Sequence, residues 1–481
     1  MNSHRAWLRL TLLSLATVLG VTACTSGPDY QRATLATPAA YKEAGAWQVA
    51  QTKVPPADEW WRAYGDAILD ELVAKIVISN QNLAAAQASY RVATAAVQTA
   101  RAAQLPRVTT DLQLTRSLGA QNSGNAVTAG AGASASTLAR LAGGLSWEID
   151  LWGRVRRSVE QARANAAASA ADLAALELSL RGTLVSTYFS LRVAQADGRL
   201  LADNVSGLRR ALDITRNRYR VGVAARLDVS QAQTQLATTQ AQAIDVGVRC
   251  ATLEHALATL LGVAPADFQL DARGELPPLP VSVAPLPSTL LERRPDIAAA
   301  ERRMAAANAA IGLAEAAWFP TLSLGGSAGF QHSNLIDLVS LPYHFWSVGP
   351  ALAGTLFDGG LRKGQKAAAV ASYEQSVANY RQSVLDAFQE VEDELATLRV
   401  LAEEAVLQDA AAKSAAEAQS LAENQYKAGT VSYLNVVMAQ TSALSAARSA
   451  LDIRGRRLAA SVALLQALGG GFSVGANSFA H

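Results

Sequence analysis

Few residues in this chain have the type and spacing needed for chemistry. Gly325-Gly326-Ser327-Ala328-Gly329 fits G-x-S-x-G, the elbow on which hydrolases mount a nucleophilic serine. That elbow belongs at a strand-to-helix turn. Here large apolar and small polar residues alternate through it, so Ser327 reads as a strand residue. The histidines, His4, His255, His332, His344 and His481, are scattered without metal-ligand spacing. No phosphate-cradling Walker loop occurs. These absences predict a chain that is not an enzyme and that has no cofactor and no metal.

Two cysteines remain. Cys24 follows Val21-Thr22-Ala23, and before it come Arg5, Arg9 and the apolar run Leu10–Val21. A charged start and an apolar run too short to span a bilayer read as a removable export signal, residues 1–23. The ending VTAC looks like a bacterial lipoprotein signal, in which the cysteine becomes the acylated first residue; the alternative is an ordinary cleaved signal with an incidental cysteine. Several acyl chains, at about 0.8 kcal/mol per buried CH2, make a durable anchor in outer membrane lipid. Thr25 stands where an aspartate would favour inner-membrane retention, so the outer membrane is expected. Cys250 lies in a helical pattern, has no partner for a disulfide, and reads as a small buried hydrophobe.

Composition narrows the architecture. Of 481 residues, 50% are hydrophobic but only 6% aromatic, with much of the remainder alanine, which favours long packed helices over a thick core. A net charge of +2 gives no basic excess, so nucleic acid is not an expected partner.

The chain also repeats itself. RYRVGVAARLDVSQAQTQL, Arg218–Leu236, has a near twin in QYKAGTVSYLNVVMAQTSAL, Gln425–Leu444, with Tyr219 and Tyr426 standing 207 residues apart. The same offset relates Gly222 to Gly429, Leu261 to Leu468 and Gly262 to Gly469, so the duplicated unit is large. Each phrase ends a very long helical pattern, Arg154 to Arg220 and Leu361 to Lys427, and starts a second one that reaches Leu261 or Leu468. Each long helix would measure roughly 100 Å. Gly222 and Gly429 are predicted as helix-ending tip turns of two helical hairpins.

Upstream, a helix is predicted over Asp66 to Ala103, stopped by Pro106; the same kind of stop recurs at Pro320. Beyond each stop the period changes to two. Val108, Thr110, Leu112 and Leu114 alternate with Thr109, Asp111, Gln113 and Thr115; Leu141, Leu145, Trp147, Ile149 and Leu151 alternate with small and polar residues. Leu322, Leu324, Ala328 and Phe330, then Trp346, Val348, Leu352 and Leu356, repeat the pattern. Each repeat therefore carries a strand pair, with aromatic residues near the ends: Trp152, Trp318 and Phe357 on one side, Tyr343, Phe345 and Trp346 on the other. Such girdles and strand lengths suit a membrane barrel; a soluble sheet with one face on a core shows the same alternation. Pro350, inside the last strand, predicts a local bulge.

Four strands cannot close a membrane barrel, and an open edge in lipid is forbidden, so several copies must associate. Two copies give eight strands, whose lumen side chains largely fill; three give twelve, enough for a water-filled lumen.

The markers VTAC, the Trp60-Trp61 pair with the helix that follows to Leu83, LSWEIDLWGR at Leu145–Arg154, LLERRPDI at Leu290–Ile297, LFDGGLR at Leu356–Arg362 and the two tip phrases come in a specific order. In this the chain resembles the TolC-like outer membrane factors of tripartite efflux systems, in particular their OprM/NodT-type lipoprotein branch. The resemblance implies a mixed fold: a membrane β-barrel with four strands per chain, twelve-stranded as a trimer, continued by a long α-helical barrel. It divides the chain into a lipid-anchored segment (24–59), two outer membrane efflux repeats (60–270 and 285–470) and a C-terminal tail (471–481). It implies a homotrimer in the outer membrane of a Gram-negative bacterium, projecting into the periplasm. There the trimer would meet a periplasmic adaptor protein and an inner-membrane pump of the resistance-nodulation-division type, and would conduct drugs or other small toxic compounds passively. Six hairpins, two per copy, would ring the periplasmic tip.

In the family, aspartates one turn apart after the second tip phrase narrow the closed entrance. The matching residues here are Asn435 and Met438, and in the first repeat Asp228 and Gln231. The expectation is that Tyr219, Asp228, Gln231, Tyr426, Asn435 and Met438 hold or line the closed end; the two tyrosines could instead fill the hairpin core. The resemblance also implies an arginine near the second tip that links the hairpins. Val431 holds that position here, and Arg226 is the candidate substitute. The acidic run Glu390 to Glu394, with Glu403 and Glu404, reads as a solvated helix face. Two other functions fit the pattern: a duct of the same build for type I protein secretion, and a pore-less lipid-anchored periplasmic coiled-coil scaffold.

Overall fold

The computed structural model describes residues 26–35, 38–44, 57–118, 135–271, 276–280 and 293–470. The signal at 1–23, Cys24 and the tail at 471–481 lie outside the described residues. The ordered elements are α1 (Ala67–Ser79), α2 (Gln81–Ala102), β1 (Arg107–Leu118), β2 (Ala135–Ile149), α3 (Arg154–Arg220), α4 (Arg226–Leu260), α5 (Pro295–Ala316), β3 (Thr321–His332), β4 (His344–Ala353), α6 (Leu361–Ala428) and α7 (Tyr433–Ala467). The long helices run 67 residues in α3 and 68 in α6, with bounds within a residue of those the apolar spacing predicts.

Why these helices start where they do is visible in two aspartates. Asp150 accepts hydrogen bonds from the backbone N–H groups of Val155 and Arg156, 3.1 and 2.8 Å, at the first turn of α3. Asp358 does the same for Gly360 and Arg362 at the start of α6, at 3.0 and 3.3 Å. An anion there satisfies orphan donors and complements the helix dipole. Arg362 holds the Asp358 carboxyl below the usual range, so it stays charged.

The predicted single helix over Asp66 to Ala103 is two helices. Asn80 leaves helical geometry (φ −69°, ψ 123°) between α1 and α2. Its amide donates to the Leu260 carbonyl at 2.7 Å, while its Oδ1 accepts from Leu83 N–H at 3.0 Å. Ser79 donates to the Leu261 carbonyl at 2.5 Å. The apolar period passes through this point undisturbed; partners at the end of α4 impose the break.

The chain forms two compact units. One holds residues up to 33, 90–169 and 300–380, and with them the four strands of the described residues. The strands form one antiparallel sheet in the order β1-β2-β3-β4. Register places the predicted apolar positions side by side: Val108 opposite Leu145, Leu145 opposite Gly326, Gly326 opposite Val348; Leu112 opposite Leu141, Leu141 opposite Phe330. Since alternate residues take opposite faces, one face carries Val108, Leu112, Trp147, Leu324, Trp346, Val348 and Leu352. The other carries Thr109, Asp111, Arg140, Ser327, Ser347 and Gln331. Phe345 belongs to this second face, with Arg140 over its ring at 4.9 Å, so it departs from the girdle expected of it. The outer strands β1 and β4 each keep one unpaired edge.

Pro350 produces no bulge: it pairs with Leu324 in an unbroken register. The hydroxyls of Thr321 and Ser323 donate to the carbonyls of Ala353 and Ala351, so those carbonyls face β3. Position 350 therefore turns its nitrogen toward the free edge, where a missing N–H breaks no bond within the sheet.

In the same unit, the segment just after residue 25 is fastened to helix. Arg157, its side chain 5% exposed, donates to the carbonyls of Ser26 and Gly27 and to Asp29. Ser26 N–H donates to the Trp152 carbonyl at 3.1 Å, and Asn308 donates to Pro28. A Cβ on Gly27 would strike the Gly312 backbone, and one on Gly312 would strike the Ser26 carbonyl and the Arg157 side chain.

The other unit, residues 34–89, 170–299 and 381 onward, is helical among its described residues. Its main core joins Trp60, Trp61, Tyr64 and the α1 residues Leu69, Leu72, Val73 and Ile76 to Leu184, Tyr188 and Phe189 of α3 and Leu458 and Val462 of α7. That accounts for the tryptophan pair as packing. Cys250 is partly buried against this core, and burial raises its thiol pKa, which keeps it in the unreactive thiol form. The acidic run is not simply a solvated face. Glu392 accepts the backbone N–H groups of Lys42 and Glu43, and Glu390 pairs with buried Arg294 at 2.5 Å. Arg294 also grips Asp296 and the Ala467 carbonyl, which is the structural content of the RPDI phrase.

Candidate functional site

The two tip phrases fold into the same backbone. After α3, Gly222 adopts φ +79°, Gly222 N–H donates to Tyr219 O and Val223 N–H to Arg218 O. After α6, Gly429 adopts φ +82°, Gly429 N–H donates to Tyr426 O and Thr430 N–H to Gln425 O. These are the bonds of a left-handed helix cap, repeated 207 residues on.

The side chains on that shared backbone part company. Tyr426 is 7% exposed and sits in a cluster with Leu212, Ala232, Tyr433 and Val436, whereas Tyr219 is 45% exposed. Tyr426 and Tyr433 meet edge to face at 5.2 Å, and the Tyr426 hydroxyl donates to Thr215 Oγ1 at 3.5 Å. Asp228 sits at the third position of α4, where its Oδ2 accepts the Ala225 N–H at 3.2 Å, half of a capping box that an alanine cannot complete. Gln231 is half-buried; Asn435 is exposed, and Met438 is 63% exposed one turn beyond it on α7.

The hairpins are joined by a residue other than the one expected. Arg218, near the end of α3, donates to the carbonyl oxygens of Tyr426 and Lys427 at 2.5 and 3.2 Å, and its guanidinium lies 4.7 Å over the Tyr426 ring. It thereby caps the C-terminus of α6 from another helix, where orphan carbonyls and the negative dipole end favour a cation. Arg226 is exposed, and Val431 packs against the Tyr426 cluster. A cation placed next to YRVG is an ordinary sequence feature, and nothing local singles out Arg218.

The model of the outer membrane efflux protein family matches residues 72–263 and 286–470. The chain belongs to that family. It is similar to the pyoverdine export outer membrane protein OpmQ of Pseudomonas aeruginosa, 30% identical over 466 residues that cover 96% of this chain and 97% of OpmQ. It is likewise 30% identical over 473 residues to the efflux pump outer membrane protein TtgC of Pseudomonas putida, 96% of each chain. Among solved structures, the outer-membrane channel OprN superposes with a TM-score of 0.86 at 31% identity, covering 93% of this chain and 99% of that one. Efflux proteins of this family are outer membrane channels of barrel and long helices, not enzymes. Ser327 of the G-x-S-x-G pentad accordingly sits mid-strand, 2.8 Å from the Ser347 hydroxyl.

Proposed function

We propose that three copies of this chain close one twelve-stranded outer membrane barrel, continued by a helical duct that conducts small toxic organic compounds passively outward. The observation that carries this is the sheet: one face mainly apolar, the other mainly polar, and unpaired edges on both outer strands. In lipid those edges must pair, and only other copies offer matching strands. Relatives named for export of pyoverdine support a small-molecule cargo. With no nucleotide-binding loop in the sequence, energy comes from an inner-membrane pump of the resistance-nodulation-division type, reached through a periplasmic adaptor. Cys24 carries the lipid; Ser26, two residues on, is already fixed to the Trp152 carbonyl at the junction of sheet and helix.

In this duct Asp228, Gln231, Asn435 and Met438 narrow the periplasmic entrance, Tyr219 lines it, and Tyr426 holds it through Arg218. Native mass spectrometry and planar-bilayer conductance test the proposal. The expected outcome is a trimeric mass with discrete channel openings, altered in Asp228→Ala and Met438→Ala. A stable monomer without conductance overturns the duct; wild-type conductance in both variants removes the gate residues alone.

A further inference from the structure

The loop over residues 333–343 joins β3 to β4 at the far end of the sheet, since α5 leads into β3 and β4 leads into α6 at the other end. Its surface is apolar where a loop's is ordinarily polar. Ile336 and Leu341 are 90% and 81% exposed, and Leu335 and Val339 are exposed beside them, while Leu338 turns in. Isolated side chains of this kind are ordinary on a surface, but four of them between residues 335 and 341 form a patch that calls for an apolar neighbour. Asp337 is the only charged residue of the loop.

The polar groups of the loop are meanwhile turned on one another. Asn334 accepts the Ile336 N–H through Oδ1 at 3.1 Å and donates through Nδ2 to the Asp337 carboxylate at 3.0 Å. The Asn334 N–H donates to His332 Nδ1 at 3.1 Å, the Ser340 hydroxyl to the Asp337 carbonyl at 3.0 Å, and the Tyr343 N–H to the Ser340 carbonyl at 3.0 Å. Water would satisfy these groups on a solvated loop; beside lipid they must find partners within the chain. The side on which the loop lies follows from register. His332 stands opposite Ala139 and shares its parity with Leu324, which places it on the apolar face of the sheet. The Tyr343 ring lies against the His332 ring, centroids 3.8 Å apart, so the loop returns to β4 on that face and not on the polar one.

We propose that this loop is an outer-leaflet anchor, with Leu335, Ile336, Val339 and Leu341 seated among lipid acyl chains. The inference rests on the barrel reading above, which makes the apolar face the lipid face and the far end of the sheet the outer one. The patch continues the apolar face, whose occupant in that reading is lipid, whereas a plug across the lumen would have to leave from the polar face. Three such loops hold the rim of the barrel in the membrane from the outside, by the same burial of apolar side chains that seats interfacial segments.

The test is spin labelling of the full-length protein in nanodiscs of palmitoyl-oleoyl-phosphatidylcholine, with Ile336→Cys and Leu341→Cys each made in a Cys250→Ser background. Collision with oxygen, which enriches in hydrocarbon, is compared with collision with a polar nickel chelate, which stays in water. Val348→Cys reports the apolar face of the sheet and Ser347→Cys the polar face. Expected at Ile336 and Leu341 is the Val348 pattern, oxygen access high and nickel access several-fold below that at Ser347. Nickel access equal to that at Ser347 puts the loop in water and overturns the anchor, and low access to both reagents puts it against protein and overturns it equally. Either result with Val348 still in lipid leaves the barrel standing; nickel access at Val348 itself overturns the barrel and the anchor together. The two loop positions are read separately, so Leu341→Cys decides where Ile336→Cys fails to fold.

Discussion

Arg218 joins two helices that are distant in sequence through two main-chain acceptors and the face of one ring, so its worth can be measured by replacing a single side chain. Removing it leaves two carbonyls and a tyrosine face without their cation. Arg218→Ala is expected to lower stability by about 1–2 kcal/mol, read by thermal unfolding. Arg218→Lys should recover part of that, because one nitrogen, Nη1, serves both carbonyls and an ammonium can do the same, while the planar stack on Tyr426 is lost. Glu394 offers a pH test of opposite character. Burial, aided by Asp393 and Glu390, raises its carboxyl above the ordinary value of about 4.3. A raised acid gives stability while protonated and loses it as pH climbs through the folded-state value. Glu394→Gln should therefore raise the melting temperature at pH 7 to 8 and leave it unchanged near pH 4. At this scale the sequence was least legible. Tyr219 and Tyr426 occupy matched positions yet one is exposed and the other buried, because Tyr426 is covered partly by Leu212 and Ala232 of the other hairpin.

Helices and strands were far easier to anticipate, since their signals are local: apolar spacing, prolines at Pro106 and Pro320, glycines at Gly222 and Gly429. The break at Asn80 escaped because its cause is a pair of carbonyls some 180 residues away. Asn80→Ala should lose the bond to Leu260 and the cap on α2, leaving a buried acceptor unpaired, a cost of about 2–3 kcal/mol by denaturant titration. Asp150→Ala removes the carboxylate that receives two N–H groups of α3 and is expected to cost about 1 kcal/mol. The acidic run on α6 shows the same limit, since the N-terminal segment that docks on Glu392 lies 350 residues before it.

For the molecule entire, the alternation of four short strands was enough to indicate a sheet with one greasy and one wet face, and the fold of an outer membrane efflux channel agrees with it. Edge chemistry was misjudged, because Pro350 was weighed as an interruption rather than as a residue facing outward. Its placement bears on how the proposed barrel comes apart. Within a copy neighbouring strands pair in unbroken register, but where β4 of one copy meets β1 of the next, the ring nitrogen of Pro350 has no hydrogen to give. Pro350→Val should make the trimer harder to dissociate by heat in detergent, scored by native electrophoresis. Under load such a wall behaves like a cask: it opens first along the lines between staves, and each stave comes away whole.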